Sequence, residues 1–389
     1  MKVLLVLEHH FFKDSTGTVW CDRVVDYHFF ERYLQSFERV LVCARVENVG
    51  ENVNHCWNVA SGKGVTFVGL PNFYGAFDTL KNYIKLKKIV KRAIECVDCC
   101  IIRIPSPISL VTFGTIYSSG KPVAAEMMMS ARRMFDSQSF PYGIINGILH
   151  LYTKYICFRV DGVSYVTNHI LQGEYPTNGF SENYSSINLR ECDYYIPSWN
   201  KKARLEEFII INTGFMDDYR KGQHIVIKTI VELVRQGYNV KCILAGDGIK
   251  RKEFEELAKA ENVDDRVTFT GLLDKEQIAY YLKSSHILML PTQSEGLPRS
   301  IIEAMAVGLP CVASDVDGIP ELLDEKYLVH DFEVMHYVEK IKIFLDDFEE
   351  MKKASAMNYN KALQYSKANL DKKRKAFYDK LVEKCNYVR

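Results

Sequence analysis

Short apolar runs alternate with amphipathic segments along the second half of the chain. Apolar runs predict buried strands at 208–212, 240–245, 266–270, 287–290 and 310–314. Between them, apolar positions recur three or four residues apart, which predicts helices around 226–234, 254–258 and 275–283 and after Pro298. Because parallel strands joined by right-handed helical crossovers produce this alternation, the pattern predicts a parallel α/β sheet.

The first half alternates less regularly but shows the same kind of pattern. Strands are predicted at 2–7, 39–44, 65–70, 99–104, 122–125 and 163–167, and helices at 22–35, 77–95 and 142–157. The aromatic and apolar segment 142–158 is interpreted mainly as core. A long lysine-rich helix is predicted at 366–384.

A chain of 389 residues is long enough for two α/β domains. We predict a first Rossmann-like domain at 1–195 and a second at 205–365, joined by the polar stretch 193–206. The final segment, 366–389, is expected to pack back on the first domain. The predicted fold class is therefore α/β with two Rossmann-like domains.

Charge and cysteine content narrow the function classes. Lys and Arg number 50 against 49 Asp and Glu, so no overall basic field gathers nucleic acid. The 11 cysteines are expected to be reduced thiols, and Cys96 and Cys99 lack a second metal-ligating pair nearby. No apolar run approaches the roughly 18 residues of a membrane span. We therefore expect a cytoplasmic protein with at most peripheral contact to the inner face of the membrane.

Two carboxylates flank a predicted helix start in the second half. Glu295 follows the strand at 287–290, Pro298 opens the next helix, and Glu303 lies inside that helix. Free amides at a helix start bind anions, and a rise of about 1.5 Å per residue places Glu303 within roughly two turns of them. Carboxylates accept hydrogen bonds from hydroxyls, and free amides donate to phosphate. A loop carboxylate, a helix start and a second carboxylate in this order therefore suit the sugar, diphosphate and ribose of a nucleotide sugar.

Glu295 and Glu303, separated by seven residues, resemble the signature of the retaining glycosyltransferases of family 4. That family has the GT-B fold, in which two Rossmann-like domains with parallel sheets face each other across a cleft. The similarity spans about 209–323, and its further ordered motifs lie at 213–214, 221–222, 244–248, 266–271 and 308–321.

The resemblance implies a role for each matching residue. Glu303 would hold the donor ribose, Glu295 the transferred sugar, and Lys221 the leaving diphosphate, which makes Lys221 and Glu295 the candidate catalytic residues. Asp247 is left between ligand contact and helix capping. The other candidate donor-binding positions would act mainly through their backbone: Gly17, Gly214, Gly246, Gly248, Gly296, Leu297, Pro298 and Ser300.

The chain departs from the family at two places. Many members carry a His after the strand that corresponds to 122–125, where this chain has Glu126, a candidate on the acceptor side whose alternative is an exposed carboxylate at a strand end. Many members also carry an Arg after the glycine matching Gly214, where this chain has Phe215. Whether Arg220 replaces that Arg is left open.

Weaker similarities point to the acceptor. Segments at 31–46, 104–107 and 173–176 resemble family members that build polysaccharides, which implies a saccharide acceptor, lipid-linked, in exopolysaccharide, capsule or O-antigen assembly. The basic amphipathic helix predicted at 81–92 would suit contact with anionic lipid, and its alternative is an ordinary solvated face. The aromatic and apolar segment 142–158 also fits a lipid-linked acceptor, although core packing explains most of it.

The resemblance implies a nucleotide-sugar donor, with a UDP-sugar favoured and a GDP-sugar as the alternative, and with no cofactor and no metal. The Asp315-Val316-Asp317 sequence lies inside the 308–321 motif and is not interpreted as a metal clamp. A nicotinamide-dependent oxidoreductase would need Gly-x-Gly-x-x-Gly after the first strand, and residues 8–12 lack it. A GT-B sugar-nucleotide epimerase and a non-catalytic sugar-nucleotide-binding subunit remain alternatives.

Overall fold

The computed structural model describes residues 1–22, 25–73, 78, 81–134, 142–197 and 207–388. The chain forms two compact units, one of Met1–Tyr184 with Leu370–Arg389 and one of Ser185–Asn369. The first unit thus ends at Tyr184 rather than near 195, and the chain re-enters it at Leu370 rather than at 366.

The first unit is a mostly parallel sheet with helices packed on it. Among the described residues its parallel strands lie in the order β5-β3-β1-β6-β7-β8-β9, and β2 and β4 add an antiparallel edge. The strands are β1 (Lys2–Asp14), β2 (Val19–Cys21), β3 (Arg39–Gly50), β4 (Asn58–Val59), β5 (Val65–Leu70), β6 (Cys99–Ile104), β7 (Val123–Met127), β8 (Gly162–Tyr165) and β9 (Phe180–Asn183). The helices are α1 (Tyr27–Leu34), α2 (Tyr83–Glu95), α3 (Pro107–Tyr117), α4 (Tyr142–Arg159) and α5 (Ile170–Glu174).

The second unit is a parallel sheet whose described strands lie in the order β12-β11-β10-β13-β14-β15. Its core is aliphatic, with Ile210, Leu244 and Met289 fully buried on neighbouring strands. The strands are β10 (Phe208–Thr213), β11 (Val240–Ala245), β12 (Val267–Gly271), β13 (Ile287–Leu290), β14 (Cys311–Ser314) and β15 (Leu328–Val329). The helices are α6 (Gln223–Arg235), α7 (Arg251–Ala260), α8 (Lys275–Ser284), α9 (Arg299–Ala306), α10 (Val334–Asp346) and α11 (Phe348–Ala362).

The last helix, α12 (Lys367–Val388), packs into the first unit from Leu370 onward. Phe377, Tyr378 and Leu381 are fully buried there. The Tyr378 ring stacks on Tyr33 of α1, with centroids 5.0 Å apart.

Several elements differ from the sequence-based expectation. Helix α1 begins at Tyr27 rather than near 22, because the Asp26 carboxylate caps it by accepting the Phe29 N–H at 3.0 Å. Helix α3 was not predicted, because it is apolar around most of its circumference and shows no helical period.

The predicted linker at 193–206 is wrong at its start. Asp193 is buried in the second unit, where it pairs with Lys275 at 2.5 Å and with Arg190 at 3.1 Å. Burial opposes ionisation of Asp193, but the hydrogen bonds from Arg190 and Lys275 outweigh it and lower its pKa to about 2. The remainder of that stretch, 198–206, lies outside the described residues.

Candidate active site

The loops that carry the candidate catalytic residues meet at the carboxyl edge of the second sheet. Strand β10 pairs with β11 on one side and with β13 on the other, so the strand order reverses between β10 and β13. Ligands of open parallel sheets bind at such a topological switch point. Lys221 follows β10 and Glu295 follows β13, so the two candidate catalytic residues flank this point.

Lys221 and Glu295 form an ion pair across the switch point. The Lys221 Nζ donates to Glu295 Oε1, and the two side chains are 30% and 12% exposed. The half-buried ammonium of Lys221 can donate to a phosphate oxygen, and the mostly buried carboxylate of Glu295 can accept from a sugar hydroxyl. The sequence did not predict this direct contact, because the two residues lie 74 positions apart.

The Glu295 loop is held by the loop that follows β14. The Asp317 carboxylate accepts the Glu295 N–H at 2.7 Å, and the Gly318 N–H donates to the Gly296 carbonyl at 3.0 Å. Asp317 has φ +49°, a left-handed conformation that Asp tolerates better than most residues. Asp317 is therefore a positioning residue that the sequence analysis missed, although the Asp-Gly pair of a turn could have indicated it.

Asp315 and Asp317 have different partners. Asp315 Oδ2 lies 2.8 Å from His330 Nδ1, whereas Asp317 serves the Glu295 amide. Among the described residues, no group of three or more His, Cys, Asp or Glu side chains could hold a metal ion.

Helix α9 presents its amino terminus next to Glu295. Pro298 is the N-cap, with φ −67° and ψ 118°, and the helix begins at Arg299 rather than at Pro298. The first amides of a helix have no intrahelical acceptor, so those of Arg299 and Ser300 suit a diphosphate. Leu297 is buried and Gly296 receives the Gly318 amide, so the backbone leading into the helix is fixed.

Glu303 lies in the second turn of α9 and is only partly exposed. Burial raises the pKa of its carboxyl, against the opposing charges of Arg299 and Lys275 and with a further increase from Asp193. None of the residues that the structure describes donates a hydrogen bond to Glu303. A partly desolvated carboxylate of this kind gains most from hydroxyl donors such as those of a ribose.

The three glycines at 214, 246 and 248 let two loops approach each other closely. The Gly214 N–H donates to Ala245 O at 2.9 Å, and the Met216 N–H donates to Asp247 O at 2.8 Å. A Cβ at Gly246 would lie 2.0 Å from the Gly214 carbonyl oxygen, and one at Gly248 would lie 2.3 Å from the Met216 carbonyl carbon. Loop packing therefore accounts for these glycines before any ligand contact is considered.

Lys221 is positioned by its glycine neighbours. Its side chain crosses Gly214, where a Cβ would lie 3.2 Å from Lys221 Cγ. Gly222, the N-cap of α6, has φ +73°, and a Cβ there would lie 2.1 Å from the Pro291 carbonyl oxygen. The Gln293 N–H donates to Arg220 O at 2.8 Å, so the loops after β10 and β13 are joined directly.

Other residues of these loops have local partners. Arg220 Nε donates to Asp218 Oδ2 at 2.6 Å, and Phe215 is 43% exposed. Asp247 is not a helix cap, since the N-cap of α7 is Lys250; its carboxylate instead accepts the Gly248 N–H at 2.8 Å and pairs with Arg251 at 3.2 Å.

Glu126 does not line an open surface, so its acceptor-side assignment is corrected. The carboxylate is buried at the end of β7, where it accepts from Tyr33 and Tyr378 at 2.8 Å and from Tyr184 at 3.4 Å and pairs with Arg103 at 3.1 Å. Four side chains thus surround the Glu126 carboxylate. The two predicted locations, the acceptor cleft and an exposed strand end, both differ from this buried position.

Gly17 lies in a hairpin turn of the first unit. Strand β1 continues to Asp14, whose carboxylate accepts the Thr16 N–H at 2.9 Å and the Thr18 N–H at 3.0 Å. Gly17 has φ +92°, which this tight turn requires. The turn gives Gly17 a local role, and its contact with a donor remains a prediction.

Comparisons with known proteins concern the class of enzyme and the fold. Residues 198–362 match the family model of glycosyl transferases group 1. Protein CapJ of Staphylococcus aureus is 29% identical over 77% of this chain and 75% of its own length. The O-antigen biosynthesis glycosyltransferase WclY of Escherichia coli is 27% identical. The aligned region covers 42% of this chain and 47% of WclY.

The fold has close structural neighbours. HepE of Anabaena, solved in complex with UDP-glucose, superposes with a TM-score of 0.68 over 100% of both chains at 15% identity. At that identity the likeness concerns the fold, which is GT-B. With this fold, a group 1 domain and these relatives, the chain is a glycosyltransferase.

Proposed function

We propose that the chain transfers a sugar from a nucleoside-diphosphate sugar to a saccharide acceptor with retention of the anomeric configuration. One observation carries the proposal: Lys221 pairs with Glu295 at the switch point, beside the amino terminus of α9 and in series with Glu303. In this arrangement Glu303 binds the ribose, the α9 amides and Lys221 bind the diphosphate, and Glu295 binds the sugar.

The proposed reaction uses the leaving group as the base. The acceptor hydroxyl oxygen attacks the anomeric carbon on the face that the diphosphate leaves, and the bond from that carbon to the phosphate oxygen breaks. The hydroxyl proton passes to the departing diphosphate. Lys221 and the α9 amides stabilise the charge that develops on the phosphate, a type of interaction that typically contributes about 10²–10³ in rate for one donor.

The donor nucleotide is proposed to be UDP, with GDP as the alternative. The structural neighbour HepE, whose complex contains UDP-glucose, supports UDP. Melting curves of the protein with UDP, GDP and their sugar conjugates test the choice, since a ligand at 100 times its Kd stabilises by about 2.7 kcal/mol. Glu303→Ala should reduce the nucleotide-induced shift, whereas Glu295→Ala should keep that shift and slow transfer. No shift with any nucleotide would contradict the proposal.

The acceptor is proposed to be a saccharide, lipid-linked, in exopolysaccharide, capsule or O-antigen assembly. The similarity to WclY, an O-antigen biosynthesis glycosyltransferase, supports this class. Incubating the protein with radiolabelled UDP-sugar and a lipid-linked saccharide extract should move label into the lipid fraction. Turnover of donor without any acceptor product would instead favour a sugar-nucleotide epimerase.

Metal independence is a further expectation of the proposed mechanism. Because Lys221 and helix amides neutralise the diphosphate, we expect transfer to keep its rate in excess chelator. The measurement is the initial transfer rate before and after chelator treatment. Loss of activity in chelator that manganese or magnesium restores would contradict this expectation.

Peripheral membrane contact through 81–92 is also proposed. In the structure, the apolar side of α2 packs inward through Leu86, Val90 and Ile94, while Lys85, Lys88 and Lys91 are exposed. The helix thus supplies positive charge to a lipid surface and few apolar side chains. No helix among the described residues has the length and apolar character needed to cross a bilayer.

A further inference from the structure

Helix α4 turns large apolar side chains away from the protein. The apolar pattern of this segment predicts mainly core packing, whereas the structure exposes one of its faces. Five of its side chains are 45% to 66% exposed, and they recur four and three residues apart, which places them on one stripe: Ile144, Ile148, Leu151, Tyr155 and Phe158.

The opposite side of α4 is buried, and it carries polar side chains along much of its length. Asn146, His150 and Thr153 are at most 6% exposed. His150 Nδ1 lies 2.9 Å from the Tyr175 hydroxyl, and its Nε2 lies 3.2 Å from Arg132 Nη2. These inward contacts fix the rotation of the helix, so the apolar stripe is held on the outside.

Aromatic and cation–π contacts connect α4 to the neighbouring helix α3. Phe113 of α3 has its ring centroid 6.3 Å from those of both Tyr152 and Tyr155. Arg159 lies over the rings of Tyr155 and of Tyr117, the latter 40% exposed. Helices α2 and α3 also contact each other, so α2, α3 and α4 form one continuous surface.

This surface is positively charged around its apolar centre. Helices α2, α3 and α4 together contain one acidic residue, Glu95. Lys154 and Arg159 lie next to stripe residues on α4, and Lys85, Lys88 and Lys91 of α2 are exposed. A second copy of this chain docked through the same face would bring like charges together, whereas an anionic lipid surface complements them.

We propose that α4 lies in the headgroup region of an anionic phospholipid bilayer, with its apolar stripe inserted and the α2 lysines on the headgroups. From Ile144 to Phe158 the stripe is about 21 Å long, and interfacial helices bury such a face by about 5–10 Å. The purpose of this docking rests on the proposed function, because membrane contact would bring the enzyme to a lipid-linked acceptor. It assigns the apolar part of the contact to α4 rather than to 81–92.

Flotation of the full chain with vesicles tests the docking. Vesicles of phosphatidylcholine alone are compared with vesicles that also contain phosphatidylglycerol, at low and at high salt. The stripe variant is Ile148→Ser with Leu151→Ser, and the matched control is Tyr280→Ser, an exposed apolar side chain of α8 in the second unit. A charge variant, Lys85→Gln with Lys88→Gln, separates the lysine contribution.

We expect wild type and the Tyr280→Ser control to float equally with the anionic vesicles. Each stripe substitution should lower the partition coefficient by roughly tenfold. The charge variant should lose about fivefold per lysine at low salt and little at high salt. Wild type that stays with soluble protein at low salt, or a stripe variant that floats like wild type, would overturn the docking.

Two further measurements keep the outcomes separate. UDP-induced stabilisation, measured without vesicles, should be the same in wild type and in the stripe variant, which also shows that the variant is folded. Normal UDP stabilisation with no flotation would refute the docking alone, and flotation without UDP stabilisation would refute the proposed function alone. A wild-type dimer that becomes monomeric in the stripe variant, with flotation unchanged, would assign the stripe to a second copy of the chain.

Discussion

Lys221 and Arg220 are neighbouring cations, yet the structure holds them differently. Lys221 reaches Glu295 across the switch point, while Arg220 pairs with Asp218 within its own loop at 2.6 Å. Phe215, at the position where the family 4 enzymes that this sequence resembles often have an Arg, has no side-chain hydrogen-bond donor. We expect Lys221→Ala to lower the transfer rate at saturating donor by at least about 10²–10³, and Arg220→Ala to lower it far less. A larger loss for Arg220→Ala would assign the phosphate to Arg220.

Glu303 provides a test at the same scale that depends on pH. Burial raises its pKa despite the charges of Arg299 and Lys275. A carboxyl with a raised folded-state pKa makes the folded protein less stable as pH rises through the unfolded and then the folded value. We therefore expect Glu303→Gln to raise the melting temperature of the free protein at neutral pH, with the gain vanishing below about pH 4.3. Melting curves across pH measure this.

The same Glu303→Gln variant should bind UDP about tenfold or more weakly, because it loses charge-assisted hydrogen bonds to the ribose. Glu256→Gln, on the exposed side of α7, is the matched control and should change neither quantity. A variant that melts higher and still binds UDP normally would contradict the ribose role of Glu303.

Among the elements, the loops after β10 and β11 depend on their close approach. A Cβ at Gly246 would lie 2.0 Å from the Gly214 oxygen, whereas one at Gly237 would meet no atom within 4 Å, although both glycines have positive φ. We expect Gly237→Ala to cost about 1–2 kcal/mol from backbone strain and to leave transfer unchanged. Gly246→Ala should destabilise more and raise the donor KM. Equal stability losses in the Gly237→Ala and Gly246→Ala variants would contradict the role of Gly246 in letting the two loops approach each other.

At the scale of the whole molecule, Glu126 joins the C-terminal helix to the first unit. Its carboxylate accepts from Tyr33 on α1 and from Tyr378 on α12, residues that are far apart in sequence. We expect Glu126→Ala to destabilise the first unit by about 3–5 kcal/mol, because it removes the carboxylate that pairs with the mostly buried Arg103 and accepts from the buried tyrosine hydroxyls, and to leave UDP stabilisation of the second unit intact. Circular dichroism melts measure this, with Glu31→Ala on the exposed side of α1 as control. Normal stability with lost transfer would restore an acceptor role for Glu126.

The sequence by itself determined five of the described strands of the second unit, all but β15, and the local order of the candidate donor-binding residues. Parallel strands buried on both faces are continuous apolar runs, so β11 and β13 were predicted with their observed bounds. The spacing of Glu295 and Glu303 around Pro298 was likewise visible, because the chemistry of a helix start depends on local order.

Only the tertiary structure decided the contacts between distant segments and the direction that each face takes. Lys221 pairs with Glu295, and Asp317 accepts the Glu295 amide. Glu126 is buried among tyrosines of other elements. Each of these contacts joins segments that are far apart in the sequence. A helical period in α4 defines an apolar stripe but not whether that stripe faces the core. That direction depends on what packs against the other face, and here buried polar partners hold His150 inward and leave Ile148 and Leu151 exposed.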